Sequence, residues 1–317
     1  MFHRLVYGNG ESLWLFAAMT APVFCLAGTA DWLTVLLAAL VGMCFCTLVW
    51  LVPENRIWQQ KWYCTLQSVW LILIFAVLSR WADRVWPTGN GKPAVSLTLT
   101  VLAATSALSG KNAAAQVGVL LCGAVTILYS IVLLSGIGQW HSAAEKVETA
   151  EPWLWLLSFM LPAGGVKVLS KRKKAVLPWI GLLAVGVSVW IAGLAVDRTN
   201  GWPFYEAAKS LRLLGIADRF EALVSVAATL GFFSLFSLLL SGVYDFAEQL
   251  FPQGGKIGTV ASAAAGWLAG GLLQKVNVCL LAVATLFIWG ILPLAGLFDR
   301  EIKIFPKKGK IKLDKRG

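Results

Sequence analysis

Apolar residues run along this chain in long unbroken stretches divided by short polar connections, with no strict alternation. The hydrocarbon core of a bilayer is about 30 Å thick and takes about 20 apolar residues of helix, each rising about 1.5 Å. Ten stretches of roughly that length stand out. Segments 1 to 5 fall at roughly 12–29, 32–52, 63–82, 94–109 and 114–137, and segments 6 to 10 at roughly 153–169, 175–196, 220–243, 257–273 and 277–298. A lipid-facing strand would alternate residue by residue, so continuous runs predict helices. The expected architecture is an all-α polytopic membrane protein of about ten transmembrane helices. Residues 1–298 would form one transmembrane domain, with halves about 1–140 and 150–298, and residues 299–317 a basic cytoplasmic tail.

Composition agrees with that pattern. Of 317 residues, 58% are hydrophobic and 14% charged, and the mean hydropathy is +0.73. Soluble domains carry about 25% charged residues, so much of this surface is expected to face lipid. The opening "MFHRLVYGNGESLW" places polar residues where a cleavable signal would have its apolar core, so segment 1 is expected to remain. All six cysteines lie in or beside apolar stretches, where a thiol packs as a small hydrophobe. With two histidines in the chain and no clustered carboxylates, Cys44-Phe-Cys46 lacks the partners for a zinc site, and no metal or cofactor is expected.

The net charge of +11 adds an orientation. With the N terminus in the cytoplasm and ten crossings, 18 of the 27 Lys and Arg fall on the cytoplasmic side and 9 on the other. That bias follows the positive-inside rule and places both termini in the cytoplasm. The tail "KIFPKKGKIKLDKRG" would hold the anionic inner leaflet, at about 1 kcal/mol per basic residue near the surface. The lipid bilayer accounts for the basic residues, and no nucleic-acid partner is expected.

Five segments in each half would insert the second half upside down relative to the first, the geometry of an inverted repeat. The first segment of each half is interrupted. Segment 1 reads "LWLFAAMTAPVFCLAGT", with Pro22 in its middle, and segment 6 reads "LWLLSFMLPAGGVKVL", with Pro162, Gly164 and Gly165. Proline removes a backbone donor and crowds the preceding turn, and glycine has no helical preference. Backbone groups released in lipid cost several kcal/mol each unless protein, water or a ligand answers them. Discontinuous helices 1 and 6 therefore point to a lined cavity that would take a small zwitterionic or anionic solute. The same residues would also serve as simple kinks, and sequence leaves both readings open.

Between segments 7 and 8, Phe204, Ala207, Ala208, Leu211 and Leu214 follow Pro203 at helical spacing and predict an interfacial helix. Asp218-Arg219-Phe220-Glu221 follows at the mouth of segment 8. Arg219 and Glu221 are candidates for an outer gate, with interfacial anchoring as the alternative. There is no glycine-rich phosphate loop, no Ser/His/Asp set and no pair of intramembrane carboxylates, so the chain is not expected to be an enzyme.

At "GTADWLTVLLAALVGM" and at "WPFYEAAKSLRLLGIADRFEALVSVAATLGFFSLFSLLLSGVYDFAEQLF" the chain resembles the spore-germination permease family. These are the B subunits of GerA-type germinant receptors, within the amino acid–polyamine–organocation transporters. The likeness is closest at residues 218–221, similar to that family's Arg-x-Glu at the start of its eighth helix. The resemblance implies inverted five-helix repeats, recognition of a small nutrient such as an amino acid, and partner receptor subunits in a spore inner membrane or bacterial plasma membrane. It implies ligand-binding positions at Thr20, Ala21, Pro22 and Val23 and at Ser158, Pro162, Ala163, Gly164 and Gly165, with Thr65, Gln67 and Thr229 contributed by segments 3 and 8. Two other functions compete. An ion-coupled amino acid transporter would need an intramembrane ionisable group, for which Lys167 is the nearest candidate; a non-transporting scaffold would use the basic tail for assembly.

Overall fold

The computed structural model describes residues 32–51, 60–83, 94–109, 152–161, 220–251, 253–272 and 277–295, with a few single positions between 121 and 131. These residues form helices α1 (Trp32–Leu51), α2 (Lys61–Ala82), α3 (Ala94–Leu108), α4 (Pro152–Met160), α5 (Phe220–Leu250), α6 (Gly254–Leu272) and α7 (Val278–Leu286). A π turn, Phe287–Ile291, continues α7. No strand occurs among the described residues. Seven of the ten apolar segments thus hold a described helix; segments 1 and 7 lie outside the described residues, and segment 5 is described only at single positions.

Local chemistry sets several helix ends. Asn277 caps α7, its side chain accepting from the N–H groups of Cys279 at 3.0 Å and Leu280 at 3.4 Å. Thr65 and Ser68 on α2 donate to carbonyls one turn back, at 2.9 Å each, so these hydroxyls need no partner outside their own helix. Helix α4 ends at Met160, two residues before Pro162, and Leu161 closes a turn on Leu157. A residue preceding proline is disfavoured in the helical region, which suits an end there.

Helix α5 is the axis of a bundle with α2, α3 and α6. Phe236 meets Phe75 of α2 edge to face at 4.8 Å between centroids, and Phe232 extends the aromatic stack at 5.9 Å. The Cys64 thiol of α2 donates to the Gln249 side chain of α5 at 3.3 Å. Helix α6 turns Gly255, Thr259, Ala263, Gly266 and Gly270 inward and leaves Ile257, Val260, Leu268 and Leu272 exposed. A row of small residues lets helices approach closely where apolar surroundings supply no other drive for association. At Gly270 the approach is close enough that a Cβ would run into the Ala76 carbonyl and the Ser79 hydroxyl of α2.

One polar cluster ties this bundle together. Asp83, just past α2, accepts from the Ser96 N–H and the Ser96 hydroxyl of α3, each at 2.9 Å, and that hydroxyl accepts the Trp267 indole N–H of α6 at 3.1 Å. The carboxylate answers a donor of α3's first turn, where a negative charge also suits the helix dipole.

Helices α1, α4 and α7 form a second group. Gly42 of α1 lies directly on Phe159 of α4, and the Cys46 thiol reaches the Phe159 carbonyl at 3.5 Å. Phe45 of α1 lies over the π turn at Gly290. One continuous apolar core joins the two groups through Trp70, Trp289 and Ile288.

Large apolar side chains remain exposed on the outer faces, among them Leu33, Leu37, Leu40, Val41 and Leu48 of α1 and Leu280, Val283, Phe287 and Ile291 along α7 and its π turn. A water-soluble monomer rarely exposes so much contiguous apolar surface. Lys61–Ala82, Ala222–Leu250 and Val278–Ala295 each have the length and hydropathy to cross a bilayer. The described residues are therefore those of an α-helical membrane protein.

Candidate functional site

Tyr63, Gln67 and Trp70 stand at i, i+4 and i+7 on α2, and so share one face of that helix. All three are buried, and the two outer members reach α7. The Tyr63 hydroxyl donates to the Ile288 carbonyl at 2.7 Å, and the Trp70 indole N–H donates to the Thr285 hydroxyl at 3.2 Å. That hydroxyl donates in turn to the Leu281 carbonyl at 2.8 Å. Trp70 also meets Trp289 edge to face, with centroids 5.6 Å apart. The face of α2 that holds Gln67 is thus the face bonded to α7.

The acceptor at Ile288 follows from the sequence of α7. Within the π turn the Leu292 N–H bonds to the Phe287 carbonyl, five residues back rather than four. In that register the next N–H would answer Ile288, but residue 293 is proline and has none. Ile288 is left to a side chain, and Tyr63 supplies it. A carbonyl released inside lipid must find such a partner, so the π turn and Tyr63 belong to one device.

Gln67 differs from Tyr63 and Trp70, its neighbours on this face of α2. It is 0% exposed, yet neither its amide nitrogen nor its amide oxygen makes a hydrogen bond. The amide lies near the Tyr63 hydroxyl, one turn earlier, without reaching hydrogen-bonding geometry. A buried polar group left unpaired costs about 1–3 kcal/mol, and such groups in native proteins call for a reason. Ser234 and Ser237 of α5 also hold buried hydroxyls without a partner, but a serine hydroxyl rotates freely and each presents only one oxygen. The Gln67 carboxamide presents an oriented acceptor and two donors at one place.

Of the three expected solute-binding residues whose side chains are described, Thr65, Gln67 and Thr229, Gln67 is the one whose polar atoms are buried without a hydrogen bond. Thr65 is exposed, and its hydroxyl is bonded to the Lys61 carbonyl of its own helix. Thr229 is half-buried and donates to the Ser225 carbonyl at 2.7 Å. Ser158 belongs to α4 and Glu221 to the first turn of α5, with side chains outside the described residues. Thr20, Ala21, Pro22, Val23, Pro162, Ala163, Gly164, Gly165 and Arg219 also lie outside them, as does Lys167. Tyr63, Trp70, Thr285 and the π turn were not among the expected site residues. The signals for them were the polar and aromatic spacing of Tyr63, Gln67 and Trp70, and Pro293 within segment 10.

Among the described residues no group of three or more His, Cys, Asp or Glu is placed to hold a metal ion. No protein family matches the chain, and no curated protein matches it. Fold and seam together define an α-helical membrane protein with a buried carboxamide that makes no hydrogen bond, on the α2 face whose Tyr63 and Trp70 bond to α7 and its π turn.

Proposed function

We propose that this protein recognises a small nutrient within the membrane, as the permease-type subunit of a germinant receptor. The observation that carries the reading is Gln67, a carboxamide held at 0% exposure with both polar atoms unanswered, on the face of α2 whose neighbours Tyr63 and Trp70 bond to α7 and its π turn. Free energy left unsatisfied at Gln67 is available to a solute that answers it, and a solute preferring one helix arrangement shifts the protein towards it. Occupancy would thereby pass to partner receptor subunits.

The wider arrangement belongs to the same proposal. Ten crossings in a 5+5 inverted repeat, discontinuous helices 1 and 6, both termini in the cytoplasm, and a spore inner membrane or bacterial plasma membrane together describe a receptor of this type. The end of α4 just before Pro162 supports a break in segment 6, and the π turn in α7 supplies a second irregular point on the side of the seam. Irregular backbone at membrane depth is tolerated where protein or a cavity surrounds it.

A thermal-shift screen of the purified chain in detergent, against single amino acids, sugars and neutral amides, tests the reading. The expected result is a stabilising solute whose effect disappears in Gln67→Met. No shift across the panel would transfer the weight to a scaffold that binds no solute.

A further inference from the structure

We infer that α7 and its π turn form a two-register switch, in which the Tyr63 hydroxyl of α2 and the Leu292 N–H compete for the Ile288 carbonyl. Tyr63 holds the π register, and withdrawing its hydroxyl lets the turn tighten into an α-helix. The exchange requires no bound solute, and so stands apart from solute recognition.

The irregularity is confined to a few residues. Before it, the Phe287 N–H still reaches the Val283 carbonyl, four positions back. At its end the Leu292 N–H bonds to Phe287, five positions back. In an α register the same N–H would bond to Ile288, the acceptor that Tyr63 now occupies at 2.7 Å. The Ile291 N–H would then take the Phe287 carbonyl, so neither acceptor is lost. One backbone donor thus has two neighbouring carbonyls to choose from, and the tyrosine hydroxyl answers the one it leaves.

Pro293 sets the balance from the other side. In the α register the acceptor four positions before it is Trp289, whose carbonyl would have no donor in its own helix and would crowd the proline ring. The π register moves that gap to Ile288, within reach of Tyr63. Gly290 lies between, where a Cβ would meet the Phe45 ring of α1 at 2.7 Å, so glycine lets the turn change register beside α1 with no side chain to move aside.

Helix α2 belongs to the bundle around α5, whereas α7 packs on α4 and its π turn on α1. Movement of one group against the other changes the reach of Tyr63, and with it the register. A shift of one residue turns the helix that follows by about 100°. Exposed Ala295 would then leave lipid for the side now held by half-buried Leu292 and buried Pro293. Single π turns inside α-helices are frequent at functional points, which suits a switch placed here.

The test reads rotation on either side of the turn. Full-length protein carries 4-trifluoromethylphenylalanine in place of Ala295 or, separately, of Val283, both exposed. It is placed in phosphatidylcholine–phosphatidylglycerol nanodiscs with nitroxide-labelled acyl chains, which broaden fluorine resonances that face lipid. In Tyr63→Phe a second, sharper resonance is expected at position 295, its share of the signal rising about fivefold, as the loss of one hydrogen bond implies. Pro293→Ala removes the penalty on the α register without touching α2 and is expected to raise the same resonance. The probe at position 283 is expected to stay unchanged in both variants. No change at 295 in either variant would overturn the inference. Equal changes at 283 and 295 would also overturn it, because α7 would then be moving or loosening as a whole.

Discussion

Two polar clusters among the described residues solve the same problem differently. At the end of α2, Asp83, Ser96 and Trp267 join three helices in a chain of three hydrogen bonds from 2.9 to 3.1 Å. Along the first half of the same helix, Tyr63 and Trp70 bind the π turn and α7 in a comparable way, but Gln67 between them is left with both amide atoms unanswered. The first cluster is what a purely structural polar contact looks like inside an apolar protein. The second has the same supports around one carboxamide that makes no hydrogen bond.

The largest expected effect breaks the closed side. In Gly270→Leu the new side chain has no space against the Ala76 backbone, so α6 separates from α2; a loss of about 3 kcal/mol or more is expected, read as reduced yield and earlier unfolding in mixed micelles. Asp83→Ala leaves the Ser96 N–H and hydroxyl without their acceptor and is expected to cost about 1–2 kcal/mol in the same assay, with Asp83→Asn costing less because one oxygen remains. Gln67→Met is the variant that sharpens the comparison, since its effect should carry the opposite sign: a stabilisation of about 1 kcal/mol, as an unpaired amide is exchanged for an apolar chain of similar shape. Destabilisation there by as much as in Asp83→Ala would mean the amide is already satisfied, and the contrast would be lost.

The smallest effect concerns the π turn. Tyr63→Phe is expected to cost about 1 kcal/mol by stranding the Ile288 carbonyl. In a Pro293→Ala background, where residue 293 regains its N–H, the same change should cost about 0.5 kcal/mol less, measured as the coupling in a double-mutant cycle. Simple additivity would show that the hydroxyl and the missing N–H are unrelated.

The helices were the most legible part of the chain. Segment 2 at roughly 32–52 and helix Trp32–Leu51 nearly coincide, as do segment 3 and Lys61–Ala82, and segment 4 and Ala94–Leu108. Segment 8 was read to roughly 243, while α5 runs to Leu250, because hydropathy falls at Tyr244 and Asp245 although the backbone remains helical. There the helix still buries Phe246 and receives the Cys64 thiol on Gln249. A tight turn follows, with Gln253 at φ 70, so α6 starts at Gly254, a few residues before segment 9 was expected to begin.

The candidate site was legible only in part. Gln67 and Thr65 stand two residues apart, and nothing in composition distinguishes them. Helical phase does: Thr65 lies on the exposed face and bonds its own backbone, whereas Gln67 lies on the face shared with Tyr63 and Trp70. The proline-flanked breaks are legible in the sequence because proline itself limits the helix there. The π turn was not, since it depends on which hydrogen-bond register α7 adopts around Pro293 and on a tyrosine more than two hundred positions away.

Run length and hydropathy were enough to establish that this is a chain of apolar helices suited to a bilayer, because the cost of exposing backbone to lipid makes a continuous apolar run of sufficient length a helix almost regardless of its neighbours. Which polar side chains are answered is a different kind of property. It depends on helix phase, on the close approach permitted at Gly42 and Gly270, and on donors and acceptors brought from distant segments. Packing alone left Asp83 with its partners and Gln67 without them, since a hydrogen bond requires geometry that no single stretch of sequence contains.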